Sequence, residues 1–236
     1  MFYYGLGRGV GYGFDWTYLL LIGAFILSMI VQVTMQNTFA KYSRVGTRSG
    51  MTGAQVAQMI LQSEGLYNVT VQPVAGSLTD HYDPRTKTVN LSQTVFGATS
   101  LAAQSVAAHE CGHAIQDARG YAPLRWRTAL VPVANFGSRF SWILFIIGLF
   151  MASGILIKVG ILLFSLALLF QLVTLPVEFN ASSRALAKLE ASGYMQNDEL
   201  AGSKKVLGAA AMTYVAAACT SLMYLLRMLS LGGRRR

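Results

Sequence analysis

Charge is scarce in this sequence. Only 12% of its 236 residues are Asp, Glu, Lys or Arg, against 53% that are hydrophobic. So low a charged fraction excludes an ordinary soluble domain and implies membrane spans interleaved with a modest soluble part. Cysteine is scarce too. Cys111 lies inside a helical motif and Cys219 inside an apolar run, which excludes a disulfide framework. Acidic residues are outnumbered, leaving a net charge of +9. No stacking aromatics interleave with a basic stripe, so nucleic acid is excluded as a partner. The basic residues flank apolar runs instead, as expected of contacts with anionic lipid headgroups. Those runs contain almost no ionisable residues, which argues against a channel or transporter. Internal repeats and low-complexity stretches are lacking. There are three histidines, and two of them stand four residues apart.

What is present is a set of long uncharged runs. Residues 17–35 form the first, enough to span a bilayer at about 20 residues per crossing. No small-residue cleavage site follows, so this run reads as an uncleaved anchor behind a glycine- and aromatic-rich tail, 1–16. Two further runs, 140–157 and 159–175, are separated only by Lys158. They predict a transmembrane hairpin over 140–175 with its turn at that lysine. The last segment, 206–236, is uncharged and alanine-rich as far as 226 and ends in a basic tail. Thr213, Thr220 and Ser221 within it suit a packed transmembrane helix, or else a helix covering the soluble domain. The segments 36–139 and 176–205 carry nine and four Lys and Arg, respectively. The positive-inside rule puts both on the cytoplasmic side of a multi-pass membrane protein. A fourth crossing would leave Arg234, Arg235 and Arg236 outside, against that rule.

The soluble segment 36–139 opens with a helix. Thr52 and Gln55 form a T-x-x-Q capping box; Val56, Ala57, Ile60 and Leu61 repeat at helical spacing; Gly65 ends the helix. Residues 69–74 and 86–91 alternate as strands around an Asp83-Pro84-Arg85 turn. In the second strand Thr86, Thr88, Asn90 and Ser92 form a polar row. That row suggests a sheet edge, with Thr88 and Asn90 placed to receive an extended peptide as an extra strand. A long helix follows over 100–118, stopped by Gly120 and Pro123.

That helix contains His109-Glu110-Cys111-Gly112-His113. Histidines at i and i+4 share a helix face and can aim two imidazole nitrogens at one zinc ion. Glu110 is rotated off that face, so its carboxylate can reach a water on the metal without binding the metal itself. This is the placement a general base needs in metal-assisted amide hydrolysis. A catalytic zinc also needs a third protein ligand and an open position. His81, in "LTDHYDPRTK" and read as lying in the turn between the two strands, is one candidate. Its first reading is a brace for the Asp-Pro turn through Asp80 or Asp83, ahead of a transition-state donor and, last, a ligand. Tyr194, Tyr214 and Arg184 are rival donors. Among the glutamates, Glu64 reads as a surface residue, and Glu190 and Glu199 as solvated or capping charges. Glu178 follows the third run directly, where Pro176 can turn the chain toward the membrane surface. Two crossings separate it from the motif, which returns it to the same face.

The segments "AAHECGHAIQ", "LTDHYDPRTKTVNLS", "YAPLRWRTALVPVANFGS" and "FQLVTLPVEFNASSRAL" resemble the YugP-type neutral zinc metallopeptidases of bacterial membranes, over nearly the whole chain. More distantly, "HECGH" followed by "EFNAS" is similar to the H-E-x-x-H plus E-x-x-A-D pattern of HtpX-type and CAAX-prenyl-type membrane proteases. The resemblance implies Glu178 as third ligand, a glutamate-zincin, and a substrate-binding strand ahead of the motif helix. It also implies a bacterial plasma-membrane location. Asn180 stands where Asp is expected in the first family, and Ser182 where the distant one has the Asp of E-x-x-A-D. With Arg184 these are the expected supports of the zinc ligands.

The expected fold class is α+β: a multi-pass helical membrane protein with a small zincin-like metallopeptidase domain. The expected function is hydrolysis of peptide bonds near the cytoplasmic membrane face, with one Zn2+ per chain and Glu110 as base. Its substrates are peptides or proteins, membrane proteins among them. The rival is a non-catalytic zinc-binding membrane scaffold or regulatory protein. Glu110 argues against that rival, because a structural site needs only ligands, normally four with no open position.

Overall fold

The computed structural model describes residues 17–233. The expected tail 1–16 and the three terminal arginines lie outside the described residues. Four helices are long and apolar enough to cross a membrane: α1 (Thr17–Tyr42), α5 (Ala122–Phe150), α6 (Gly154–Ala191) and α7 (Asn197–Gly233). Helix α1 shows why lipid is the solvent. Leu19, Ile22, Phe25, Ile26, Met29, Ile30 and Val33 are all exposed on it. A soluble monomer rarely leaves so large an apolar surface in water, whereas a bilayer core matches it.

Small and hydroxyl residues set the helix contacts. A Cβ at Gly137 would lie 2.6 Å from the Leu163 carbonyl oxygen, and one at Gly160 would lie 2.9 Å from that of Ser141. The α5 and α6 backbones therefore meet with nothing between them, as packed transmembrane helices do. Ser28 Oγ and Thr220 Oγ1, 2.9 Å apart, tie α1 to α7. The hairpin turn falls at 151–153, not at Lys158, which is exposed on α6. Ser153 N donates to Gly148 O and Ala152 N to Leu149 O, a Schellman closure with Ala152 at φ 50°. Lys158 needs no break, because a long charged side chain near a helix end can reach the membrane surface.

Between α1 and α5 lie α2 (Gly53–Ser63), β1 (Thr70–Val74), β2 (His81–Asp83), β3 (Thr88–Ser92), α3 (Gln93–Phe96) and α4 (Leu101–Ala118). The capping box forms: Gln55 N donates to Thr52 Oγ1 at 3.2 Å, and Thr52 N to Gln55 Oε1 at 2.8 Å. Gly65 and Gly120, at φ 70° and 63°, stop α2 and α4. Val89 and Leu91 of β3 pack with Ile60 and Leu61 of α2 and with Cys111 and Ile115 of α4. Cys111 is thus a core residue, and both cysteines are free.

The sheet corrects two expectations. Its order is β1-β3-β2, with β1 parallel and β2 antiparallel to β3. The strand carrying Thr88 and Asn90 is therefore central and not an edge. Both its flanks are paired, and Thr88 and Asn90 are themselves buried, so neither can receive an added strand. His81 does not sit in a turn. It opens β2, opposite Asn90.

The expected boundaries at 175 and 205 fall inside α6 and α7. Helix α6 continues through Pro176, and its lower half puts Ala185 and Leu189 into the same core as α2 and α4. Leu207 of α7 joins them. The soluble core is thus partly built from the far ends of two membrane helices.

Candidate metal centre

Gly112 brings α4 and α6 together. A Cβ there would lie 2.5 Å from the backbone oxygen of Ala181, so only a glycine permits this approach. Glu178 lies on α6 almost one turn before Ala181, and its carboxylate enters the space between the two motif histidines. Its Oε2 is 3.2 Å from His109 Nε2 and 3.7 Å from His113 Nε2. The two imidazoles stand edge to face, 4.8 Å between centroids. One ligand atom from each of His109, His113 and Glu178 falls within 4.8 Å of the others.

This donor set fits zinc. Atoms about 2.0–2.2 Å from a tetrahedral zinc lie about 3.4 Å from one another, and the two Nε2–Oε2 separations bracket that value. Two nitrogens and one carboxylate also leave a fourth position open, the pattern of catalytic sites. The other ring nitrogens are occupied. His109 Nδ1 is 3.1 Å from Ser182 Oγ, and His113 Nδ1 is 3.0 Å from Gln116 Oε1. In the tautomer with Nδ1–H donating to those oxygens, each Nε2 keeps a lone pair on the side of Glu178, where a metal ion would be held.

Gln116 is fixed in turn. Its Nε2 donates to Val177 O at 2.7 Å and to Asn180 Oδ1 at 3.0 Å, and Arg184 Nε donates to the same Asn180 oxygen at 2.8 Å. Ser182 thus contacts a motif histidine directly. Asn180 does so through Gln116, and Arg184 through Asn180. Gln116 escaped the sequence reading, although its place three residues after His113 puts it on the motif face. Gln116→Leu keeps the volume and removes the acceptor. Zinc affinity of this variant, measured by chelator competition, should fall about 10–100-fold. Unchanged affinity would separate Gln116 from the metal site.

Glu110 lies beside the triad and is buried. Burial pushes its carboxyl up to about 7, with the neighbouring His109 opposing the rise and the Glu178 carboxylate adding to it. Arg127 of α5, also missed in the sequence, brings Nη1 to 3.7 Å from Glu178 Oε1. The second carboxylate oxygen of Glu178 therefore faces a cation.

His81 lies near the motif but its ring is engaged. Nδ1 is 2.8 Å from Thr79 O, and Nε2 is 3.2 Å from Asn90 Nδ2. It does not brace the turn through Asp80 or Asp83. Asp80 accepts from Ser92 N and Oγ, and Asp83 from Arg85 N. Asn90 is held by Gln72 as well. Tyr82 donates to Asp117 Oδ2 at 2.7 Å and pins β2 to the motif helix; burial first, then that bond, raises its phenol. Tyr214 lines the cleft over the triad, whereas Tyr194 lies in a separate hollow beside α2. Glu64 is no free surface charge. It pairs with Arg119 and Lys188, and Lys188 holds its carboxyl below the usual range. Glu199 caps its helix, accepting from Gln196 N and also from Arg48 N, each at 2.8 Å.

Two hollows meet at the triad. One, of about 150 Å³, includes His81, Tyr82, Arg127 and Thr128. The other, of about 230 Å³, reaches toward α1 and α7. His109, Glu110, Glu178 and Tyr214 border both.

The family model described as "Putative neutral zinc metallopeptidase" matches residues 17–232 of this chain. A curated relative, "Putative membrane protease YugP" of Bacillus subtilis (strain 168), is 50% identical over 217 residues, which cover 91% of this chain and 96% of the relative. No solved structure matches the chain.

Proposed function

The chain belongs to the neutral zinc metallopeptidase family, and from that premise we propose that it hydrolyses peptide bonds at the cytoplasmic face of a bacterial plasma membrane. The observation carrying this reading is the convergence of His109, His113 and Glu178 beside a buried Glu110. One zinc per chain, held by those three residues, makes this a glutamate-zincin with a zincin-like soluble part. Zinc bound there supplies Lewis acidity, polarising the scissile carbonyl and making water more acidic.

The chain's own groups do the rest. Glu110 takes a proton from the attacking water as its oxygen bonds to the carbonyl carbon. It then gives that proton to the amide nitrogen as the C–N bond breaks, leaving a carboxyl and an amine. Ser182 and Gln116 hold the two imidazoles in one tautomer. Tyr214 and Arg127 border the cleft where charge develops on the carbonyl oxygen, the position an oxyanion donor requires. Strand β2 replaces β3 as the substrate strand. It pairs with β3 along one side only among the described strands, and His81 and Tyr82 line the cleft. An extended peptide can add along its open side through main-chain hydrogen bonds.

The ends of α1, α5, α6 and α7 that adjoin the soluble core carry the basic segments 36–139 and 176–205. Positive-inside reasoning therefore favours the cytoplasmic side. Substrates are peptides or proteins, including membrane proteins, that present an extended segment at that surface. To test the activity, the purified protein in lipid nanodiscs is incubated with casein. Cleavage is expected, should stop with a zinc chelator, and should return when zinc is restored. A protein that carries zinc yet cleaves nothing would instead support a non-catalytic scaffold.

A further inference from the structure

The larger hollow beside the triad is built by the membrane helices. Its apolar walls are Met35 and Phe39 of α1, Val106 of α4, and Val206, Leu207 and Ala210 of α7. Ser182 of α6 and Thr213 of α7 line it too, but Ser182 Oγ is engaged with His109 Nδ1 and Thr213 Oγ1 donates to Ala210 O, so both hydroxyls are already paired. The carboxylates that border it, Asp80, Glu110 and Glu178, belong to the region where it meets the metal centre. Ser28–Thr220 contact holds α1 and α7 together farther along the spans. Near the soluble core, Gly202 of α7 lies against Tyr42 of α1, where a Cβ would come within 2.9 Å of the ring. The hollow lies between these two close contacts in the order of residues along both helices. Leu78, half-exposed and at φ 57°, also borders it from the loop between β1 and β2.

We infer that this hollow is the specificity pocket, and that it takes one large apolar side chain, Leu, Met or Phe, from a peptide bound at the triad. The inference rests on the peptidase reading above and names its substrate class: apolar stretches at or emerging from the membrane surface. An apolar cavity of about 150 Å³ already accepts a benzene ring, so about 230 Å³ is room enough for such a side chain. An acidic side chain would lose its hydration there and meet no cation on those walls. An alanine would leave most of the hollow unfilled. Because two walls are membrane spans, the occupant passes from lipid-like surroundings into protein ones, with little apolar surface exposed to water between.

The test separates binding from cleavage. Fluorescein-labelled Ala-Ala-Xaa-Ala-Ala peptides, with Xaa as Leu, Phe, Ala or Asp, are titrated by anisotropy against the zinc-loaded Glu110→Gln protein in nanodiscs. Leu and Phe should bind at least about tenfold tighter than Ala, in line with burial of a large side chain, and Asp should bind weakest. Ala210→Phe, added to that protein, fills the hollow. It should bring the Leu and Phe advantage to within twofold while the Ala peptide binds as before. Ala210→Leu is the milder variant, to be used if the Phe variant loses its zinc or its melting transition. Met35→Ala enlarges the hollow and should favour Phe over Leu. Equal affinities for Leu, Ala and Asp, whether all bind or none does, would overturn the pocket. So would a Leu preference that survives in both Ala210 variants. Leu-selective binding with no cleavage by the parent would uphold the pocket and defeat the peptidase reading; cleavage without preference would do the reverse.

Discussion

Glu110→Gln is expected to keep its zinc and its fold and to lose turnover on the order of 10²–10⁴-fold, the usual contribution of a positioned general base. The side chain is 8% exposed and has no place in the His109–His113–Glu178 convergence. Gln keeps its shape, so the ligand geometry has no reason to change. The substitution removes the group that accepts and returns the proton. It also removes a buried carboxylate whose ionised form burial disfavours, so the melting temperature should not drop. The measurements are zinc content, melting temperature and kcat/KM on one peptide. Turnover within a few-fold of the parent, with zinc intact, would assign the proton transfers to another group.

The sequence made some elements plain because their causes are local. A capping box, an i, i+4 histidine pair and a long uncharged run are each read within one window, and α2, α4 and α1 follow from them. The misreadings have non-local causes. Asn90 looked like an edge residue because its own strand shows alternation, yet β1 and β2 enclose it from positions 18 and 9 residues away in the register. Lys158 reads as the hairpin turn because the actual turn has no glycine at its left-handed position. Ala152 takes the left-handed conformation instead. The role of Gly112 depends on a backbone oxygen 69 residues later, and that of Arg127 on a carboxylate in another helix. Pro176 suggested a boundary, but α6 passes through it and carries Glu178 on the same rigid element as the span. A helix crossing lipid keeps its remaining backbone bonds because no water is there to replace them. The convergence of His109, His113 and Glu178 is therefore anchored to the membrane more directly than a two-part reading implies.

Loss of zinc is expected when Glu178 is replaced, and the two available substitutions discriminate why. In the parent, the carboxylate is 2% exposed and lies between two histidines on one side and Arg127 on the other. Glu178→Ala removes a ligand and leaves Arg127 without its partner. Two imidazoles then remain, one fewer protein ligand than catalytic zinc sites have. Affinity should fall at least about 100-fold, beyond the upper end of what removing an outer support such as Gln116 costs. Glu178→Gln keeps the volume and offers a neutral oxygen, so it should preserve the melting transition better than Ala while still binding zinc poorly. His113→Ala should lose zinc to a similar degree. Glu190→Ala, at an exposed position on the same helix, is the control and should match the parent at one zinc per chain. His81→Ala should also keep its zinc, because both ring nitrogens already engage Thr79 and Asn90. Full zinc in both Glu178→Ala and His113→Ala would refute the ligand set. Full zinc in Glu178→Ala alone, together with its loss in His81→Ala, would move the third ligand to His81 and require β2 to release that ring from its present partners.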